Sequence, residues 1–194
     1  MSIIRDRWVE YLERENIITD HQFGFRKGRS YVSNLLSFYS RVIDAVDERE
    51  GWVDCVYLDF KKAFDKVPHK RLLWKLKNVG RIGDKLFKWI ENYLSNRKMR
   101  TTIRGKCSTW AEVTSGVPQG SVLAPIMFLI FVNDLTEGLT SYVNMFTDDA
   151  KVLKRVKTLE DCSRLQIDLN KLYEWSKSWS MAFNAERCKI LEWV

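Results

Sequence analysis

The longest uninterrupted apolar run, residues 122–132, is the feature that most constrains the fold of this chain. A membrane-spanning helix needs about 20 apolar residues, whereas this run is much shorter and contains Pro125. Because its side chains are apolar on every side of a helix, the run predicts a helix over about 121–135 that is buried all round. The chain must therefore build a globular core around this helix, and no membrane partner is expected.

Segments with helical and strand-like periodicity alternate around the apolar run. Ser30 is a candidate N-cap for the second helix, and Gly51 is expected to end that helix. Mixed order of this kind favours an α+β domain with an antiparallel sheet over a doubly wound fold. Helices are predicted over 3–15, 31–49, 68–80, 83–95 and 159–180, and strands over 52–60, 98–104, 107–114, 141–146, 150–156 and 188–193, with 98–114 forming a hairpin.

Charge is divided unevenly along the chain, whose net charge is +7. Residues 61–106 hold fifteen basic and three acidic residues, whereas residues 107–150 hold five acids and neither Lys nor Arg. Two interpretations of the basic stretch remain open: a surface that faces phosphates, or an ordinary solvated helical surface. The acid-only stretch leaves few cations nearby in sequence to pair with its carboxylates.

The cysteine pattern argues against a zinc site or a disulfide framework. The four cysteines show no CxxC spacing, and neither histidine has a cysteine nearby in sequence. No basic-then-apolar leader opens the sequence. An intracellular location, in the nucleus or the cytoplasm, is therefore expected.

Three aspartates stand where the predicted strands end. Asp59 closes the apolar strand 52–60, and Asp148 and Asp149 lie in a turn between two later strands. Mg²⁺ prefers oxygen ligands, and two such ions can clamp the oxygens of a phosphoryl displacement. Each feature alone has an ordinary alternative, since Asp suits turns and a strand-end Asp can cap the next segment. Asp148 is the stronger candidate ligand of the pair.

Four sequence blocks occur together with these aspartates: FRKGRS at 25–30, LDFKKAFD at 58–65, SGVPQGSVLAP at 115–125 and FTDDA at 146–150. With WSMAFN at 179–184 and the following Cys188-Lys189, their order and spacing resemble reverse transcriptases. The resemblance is strongest to the enzymes of non-LTR retrotransposons, with group II intron enzymes as more distant relatives. It covers essentially the whole chain.

The resemblance implies a polymerase palm, with helices packed on one face of an antiparallel sheet, plus partial fingers and no thumb. It assigns residues 1–52 to the partial fingers and 53–194 to the palm, with finger and palm helices and a hairpin within 66–115. Asp59, Asp148 and Asp149 take the catalytic and metal-binding positions, for two Mg²⁺ ions or Mn²⁺. The family's possible general acid corresponds to Lys189, with Arg187 as the competing candidate.

The resemblance also implies residues that bind the incoming nucleotide. The ring of Phe64 is expected beneath the sugar, where it would exclude a 2′-hydroxyl, although an ordinary core aromatic is the alternative. Asp65 receives no role. The full set of nucleotide-binding candidates is Arg26, Lys27 and Arg29 in a fingers loop, Phe60 and Phe64 after the first strand, and Gln119 and Gly120 in the Pro-Gln-Gly turn.

The activity implied is that of an RNA-directed DNA polymerase core, which adds dNTPs to a DNA primer on an RNA template. Thr147 stands where the family usually has Ala, and the family's thumb is missing, so activity is expected to be weakened. One alternative is a catalytically silent remnant that folds and binds nucleic acid. Another is an RNA-templated RNA polymerase, against which Phe64 argues. The oligomeric state is not predicted.

Overall fold

Helices and short strands alternate along the chain in the computed structural model, which describes residues 2–47 and 51–193. The predicted combination of helices with an antiparallel sheet is confirmed. The helices are α1 Ser2–Arg14, α2 Tyr31–Asp47, α3 Ala63–Lys66, α4 His69–Asn78, α5 Asp84–Leu94, α6 Ala124–Phe131 and α7 Leu159–Trp179; the strands are β1 Trp52–Leu58, β2 Lys98–Met99, β3 Thr102–Ile103, β4 Lys106–Cys107, β5 Ala111–Glu112, β6 Tyr142–Phe146, β7 Asp149–Val156 and β8 Lys189–Trp193.

A four-stranded antiparallel sheet forms the centre of the molecule, in the order β6-β7-β1-β8. Its register pairs Leu58 of β1 with Ala150 of β7, and Phe146 of β6 with Asp149 of β7. The end of β1 and the turn between β6 and β7 therefore lie at the same edge of the sheet.

The main core lies on one face of the sheet, as predicted for the palm. Side chains of β1, β6 and β7 on this face pack with α6, α7 and α4. Every described side chain of α6 except Pro125 is buried, which accounts for its apolar sequence. A smaller cluster on the opposite face joins α2, from the predicted partial fingers, to β1 and β7 through Phe38, Val42, Val53, Cys55 and Leu153.

The helix predicted over 121–135 is shorter in the structure and ends at Phe131. The carbonyl oxygen of Phe131 accepts a hydrogen bond from the ammonium group of Lys75, which also pairs with Asp134. Lys75 is fully buried, and its Nζ lies 3.7 Å from the ring centre of Trp179. This capture of the last carbonyl group allows the chain to turn where periodicity alone predicts more helix.

The strands predicted over 98–104 and 107–114 form a hairpin that is broken into two short ladders. β2 pairs with β5, and β3 pairs with β4, with irregular backbone between the ladders. Arg104 and Gly105, with φ of 48° and 78°, form a two-residue turn at the tip. Positive φ at both central residues is the geometry of a type I′ hairpin turn, which suits the twist of the strands.

Side-chain caps fix where two helices begin. The hydroxyl of Ser30 accepts a hydrogen bond from the backbone N–H of Ser33, which confirms Ser30 as the cap of α2. Thr158 and Asp161 form a reciprocal capping box at the start of α7. The predicted end of α2 at residue 49 lies outside the described residues. No described helix has the length and apolar character that crossing a membrane requires.

Candidate active site

The three predicted catalytic aspartates lie at one edge of the sheet. The turn between β6 and β7 consists of Thr147 and Asp148, so Asp149 is the first residue of β7 rather than part of the turn. Because Leu58, the last residue of β1, pairs with Ala150, the residue after it, Asp59, lies beside Asp149 at the end of the ladder. Strand pairing thus brings together residues that are about ninety positions apart in sequence.

The backbone of Asp59 is fixed from its other side by the segment after α7. The N–H of Asn184 donates a hydrogen bond of 2.7 Å to the carbonyl oxygen of Asp59, and the N–H of Lys61 donates to Ala182. The ring of Phe60 stacks on that of Phe183 at 4.7 Å. The block at 179–184 is therefore a structural neighbour of the block that contains Asp59.

Asp59 shares a separate cavity with each of the other two carboxylates. A cavity of about 390 Å³ is lined by Asp59 and Asp149, and one of about 570 Å³ by Asp59 and Asp148. Asp148 belongs to the turn and Asp149 to β7, so the two side chains face different cavities. Among residues 2–47 and 51–193, no three acidic, His or Cys side chains stand close enough together to hold a metal ion.

Burial and mutual repulsion act on the paired aspartates. Burial raises the pKa of Asp148, and the nearby Asp59 carboxylate raises it further. Burial also raises the pKa of Asp149, to which Asp148 and Asp59 both contribute. The Oδ2 atom of Asp59 is buried without a hydrogen bond. Clustered carboxylate oxygens of like charge fit a hard divalent cation, although the three carboxylates do not surround one point.

Cations reach this site from other parts of the chain. Arg187 Nη1 lies 3.7 Å from Asp59 Oδ2, and Lys189 lines the cavity that contains Asp59 and Asp149. Lys151 lines the same cavity, and burial lowers its pKa. The acid-only stretch itself supplies no cation; Arg187 and Lys189, which the family resemblance had named, come from the segment around β8, which strand pairing brings beside β1. Lys151 follows Asp149 by two positions and was missed.

A buried amide that the sequence interpretation also missed holds the β6–β7 turn. Thr147 has φ of 60°, a conformation that a β-branched residue rarely adopts. The Oε1 atom of Gln22 accepts hydrogen bonds of 2.8 Å from the N–H groups of Thr147 and Gly24, and its Nε2 donates to the carbonyl oxygen of Thr147. Gln22 is 1% exposed. It immediately precedes the FGFRKGRS segment, and nothing in its identity alone indicates this contact.

Two further contacts support the same turn. Asn34 of α2 donates a hydrogen bond of 3.1 Å to the carbonyl oxygen of Met145, and its side chain also bonds that of Asn144. The backbone of Gly24 passes so close to the turn that an added Cβ would lie 2.6 Å from the nitrogen of Thr147. The turn carrying Asp148 is therefore fixed from several directions.

No residue of the predicted fingers loop, 25–30, lines either aspartate cavity, and the two arginines of the loop are paired. Arg26 makes two hydrogen bonds to the carboxylate of Glu13, at 2.8 and 2.6 Å, and its side chain is only 8% exposed. This contact lowers the pKa of Glu13. Arg29 pairs with Asp20 at 2.6 Å. Lys27 is exposed and has no ion pair among the described residues.

The two aromatic candidates differ in their surroundings. Phe60 is buried and lines the cavity that contains Asp59 and Asp148. The ring of Phe64 stacks on Phe128 at 4.7 Å, at the edge of the core, and lines neither aspartate cavity. The core alternative for Phe64 therefore describes its contacts in this structure.

The Pro-Gln-Gly turn is joined to the segment after Asp59. Gln119 Nε2 donates a hydrogen bond of 2.8 Å to Asp65 Oδ1. At Gly116, with φ of 92°, an added Cβ would lie within 3 Å of the backbone of Phe64 and Asp65, so only glycine allows this approach. Gly120 is open to solvent. The contact gives Asp65 the positioning role that the sequence left unassigned.

Comparison with known proteins identifies a family model and several relatives. The model described as reverse transcriptase (RNA-dependent DNA polymerase) matches residues 2–193. The RNA-directed DNA polymerase from mobile element jockey of Drosophila funebris is 31% identical over 96% of this chain. The probable RNA-directed DNA polymerase from transposon BS of Drosophila melanogaster is 28% identical over 95% of the chain. In each case the match covers 21% of the relative, so the chain spans about a fifth of the length of these curated relatives.

Solved structures with a similar fold include telomerases. An apo telomerase from Candida tropicalis, truncated from its C-terminal domain, superposes with a TM-score of 0.69 at 11% identity, over 98% of this chain and 40% of the other. A telomerase from the same organism in complex with a TWJ fragment of telomeric RNA gives a TM-score of 0.68 at 12% identity, over 98% and 33%. At these identities the likeness concerns the fold.

Proposed function

Because the chain belongs to the reverse transcriptase (RNA-dependent DNA polymerase) family, we propose that it carries the nucleotide-joining centre of an RNA-directed DNA polymerase. The observation that supports this most strongly is the register between β1 and β7, which sets Asp59 beside Asp149 and Asp148. These are the acids that the family blocks assign to catalysis. As part of the proposal, residues 1–52 are partial fingers and residues 53–194 are palm.

The proposed reaction joins the 3′-hydroxyl of a DNA primer to the α-phosphate of a dNTP on an RNA template, and pyrophosphate leaves. Two Mg²⁺ or Mn²⁺ ions, when bound, supply the charge that activates the hydroxyl and stabilises the leaving oxygen. Asp59, Asp148 and Asp149 would hold them through carboxylate oxygens. The two cavities that meet at Asp59 support this assignment, which requires the carboxylates to converge when ions are present.

Lys189 is the proposed acid for the leaving pyrophosphate. It lines the cavity of Asp59 and Asp149, and a lysine ammonium can release a proton. Arg187 pairs with Asp59, and a guanidinium stays protonated in proteins. Arg187 is therefore better suited to balancing the negative charge of Asp59 than to donating a proton to pyrophosphate.

The proposed nucleotide-binding residues fall into two groups, those that are free to contact a nucleotide in this structure and those that are held by other contacts. Lys27 is exposed and free to meet phosphate, and Gln119, Gly120 and Phe60 lie in segments joined to that of Asp59. Arg26 and Arg29 could reach a triphosphate only by leaving their carboxylates. Phe64 stays the proposed sugar-selecting residue: replacing it with Ala is expected to admit NTPs, and an unchanged sugar preference would remove that role.

A second candidate function is nucleic-acid binding without polymerisation. It is favoured by the absence of a three-carboxylate metal group among the described residues and by Thr147, which stands beside the acids where relatives usually carry Ala. In that case the chain keeps its fold and the basic residues of 61–106 still bind nucleic acid, but nucleotide joining is lost.

Primer extension by the purified chain separates the two candidates. The assay uses an RNA template, a DNA primer, dNTPs and either Mg²⁺ or Mn²⁺, with Asp148→Asn as the matched control of nearly the same shape. The polymerase proposal expects incorporation that falls about a hundredfold or more in Asp148→Asn, the scale of losing a group that stabilises the transition state. Binding without incorporation under both metals would leave only the second candidate.

A further inference from the structure

The hairpin between α5 and the Pro-Gln-Gly turn has no role in the site described above. Residues 97–112 are named here the arm. All side chains from 98 to 112 are exposed, and none of them belongs to either hydrophobic cluster. Two short ladders and hydrogen bonds between its own strands hold the arm together, and Arg97 at its base lies over the ring of Tyr93 of α5. A segment whose side chains from 98 to 112 all lie outside the two core clusters does not serve the core.

The arm is strongly basic. It carries five cations and a single acid, Glu112, and no ion pair joins any of the five to a carboxylate in the described part of the chain. The basic stretch 61–106 also contains Lys75, which is buried and paired, so total charge alone does not mark a binding surface. The five arm cations are Arg97, Lys98, Arg100, Arg104 and Lys106.

Large apolar side chains stand among these cations. Trp110 is 60% exposed, and Met99 and Ile103 are exposed to a similar degree. The guanidinium of Arg100 lies 4.7 Å from the ring centre of Trp110, which leaves the other face of the indole open. Exposed aromatic rings beside cations are the means by which proteins hold unpaired bases and their phosphates.

The base of the arm is fixed to the candidate active site. Its outgoing strand leads directly to Ser115 and Gly116, whose backbone pairs with Pro68 and Val67. Ser115 Oγ also donates a hydrogen bond of 2.9 Å to the carbonyl oxygen of Asp65. A strand of nucleic acid held by the arm would therefore be held next to the segment that begins at Asp59.

We propose that the arm binds single-stranded nucleic acid, with a base stacked on Trp110 and phosphates held by Arg100, Arg104 and Lys106. The proposal rests on the proposed function in taking a polynucleotide as the partner. A single strand is favoured over a duplex because an open indole face requires an unstacked base, whereas a base in a helix presents only its edges.

The test measures binding of a labelled RNA or DNA single strand of about 20 nucleotides, longer than one binding module covers. Trp110→Ala is expected to weaken binding about tenfold, within the range for losing one stacked base. Its matched control is Trp74→Ala, since Trp74 is 55% exposed on α4. The control is expected to change affinity less than twofold, roughly the error of such measurements. Equal losses in the two variants would overturn the proposal.

The triple variant Arg100→Ala/Arg104→Ala/Lys106→Ala tests the phosphate contacts. The slope of log affinity against log salt is expected to fall in magnitude by about 2, since each phosphate contact on a single strand contributes roughly 0.7. The control triple Lys70→Ala/Lys85→Ala/Lys88→Ala removes the same charge from exposed positions of α4 and α5. If the control lowers the slope as much, the arm is not the binding surface.

Competition identifies the ligand and separates this proposal from the polymerase proposal. Unlabelled single strand should displace the probe better than duplex or poly-glutamate of equal charge; equal displacement by either would overturn the proposal. Asp148→Asn should bind the single strand as the wild type does. If Asp148→Asn no longer incorporates dNTPs but still binds the single strand through the arm, both proposals are supported independently. If binding does not depend on the arm residues, the arm proposal is wrong and the polymerase proposal is unaffected.

Discussion

The β6–β7 hairpin, whose turn of Thr147 and Asp148 is called here the acid corner, and the arm are both antiparallel hairpins with two-residue turns, yet they are stabilised in different ways. In the corner, Thr147 takes φ of 60° and is held by the buried amide of Gln22. In the arm, Arg104 and Gly105 form the turn, and within residues 2–47 and 51–193 nothing lies near a side chain added at Gly105. The corner turn places a β-branched residue at positive φ and is supported by buried hydrogen bonds, whereas the arm turn contains the glycine that its geometry favours.

The two hairpins differ in what a side-chain replacement should change, because one is supported by buried polar groups and the other carries exposed side chains. The polar groups of Gln22, Gly24 and Thr147 that support the corner turn are buried and hydrogen-bonded to one another, so the loss of one partner leaves others unsatisfied. Side chains of the arm are exposed, so their replacement leaves the folded chain nearly as stable as before. Replacing a side chain with alanine should therefore lower the stability of the protein at the acid corner, and should lower the affinity for single-stranded nucleic acid in the arm.

The largest effect is expected from Gln22→Ala. It deprives the Thr147 and Gly24 backbone groups of their partner in a buried site, so it should lower the free energy of unfolding by about 3 kcal/mol. Urea unfolding measures this loss, and Arg104→Ala in the arm provides the comparison, with a change below about 0.5 kcal/mol. Similar losses in the two variants would break the contrast between the hairpins.

A pair of glycine replacements sharpens the contrast. In Gly24→Ala the added methyl group meets Thr147 Oγ1 and the Thr147 backbone nitrogen, and such overpacking should cost about 2 kcal/mol. In Gly105→Ala nothing lies near the new methyl group, and only the positive φ of 78° opposes it, at about 1 kcal/mol. Thermal unfolding of both variants gives the order, and a larger loss for Gly105→Ala would contradict the packing of Gly24.

Lys75 provides a smaller, pH-dependent test, because it is a buried cation in the same basic stretch as the exposed arm. Burial lowers the pKa of Lys75 to about 8, although Asp134 opposes this shift. An unfolded lysine titrates near 10.4, so above pH 8 the unfolded state binds more protons and stability rises with pH. From about pH 7 to 9 the wild type should gain about 1 kcal/mol relative to Lys75→Met.

Urea unfolding of both proteins across that pH window isolates the contribution of Lys75. Arg100→Met in the arm is the control, since its guanidinium is exposed and stays charged. It should shift stability equally at every pH. A wild-type gain no larger than that of Lys75→Met would show that the ammonium group is not held at a low pKa.

The sequence predicted the α+β fold, most element positions and the edge where Asp59 meets the paired aspartates. The element positions were predicted from the periodicity of apolar residues, and the edge was predicted from the sequence blocks that resemble those of reverse transcriptases. The sequence did not predict Gln22 or the Asp65–Gln119 contact, because their partners are distant in sequence. It also did not predict Lys151, because a lysine in a strand has many ordinary uses. The burial of Lys75 was not predicted for a related reason. The sequence does not distinguish a buried lysine from a surface lysine, because the aromatic rings that surround Lys75 come from distant segments.

The central claim is that Asp59, Asp148 and Asp149 jointly hold divalent ions, and Mn²⁺ binding followed by electron paramagnetic resonance tests it most directly. The wild-type chain, with primer–template and a dNTP present, should bind Mn²⁺, and Asp59→Asn and Asp148→Asn should each bind markedly less. Asp84→Asn, which changes an exposed acid outside the corner, should bind as the wild type does. Mn²⁺ binding that is unchanged in both corner variants would contradict the account.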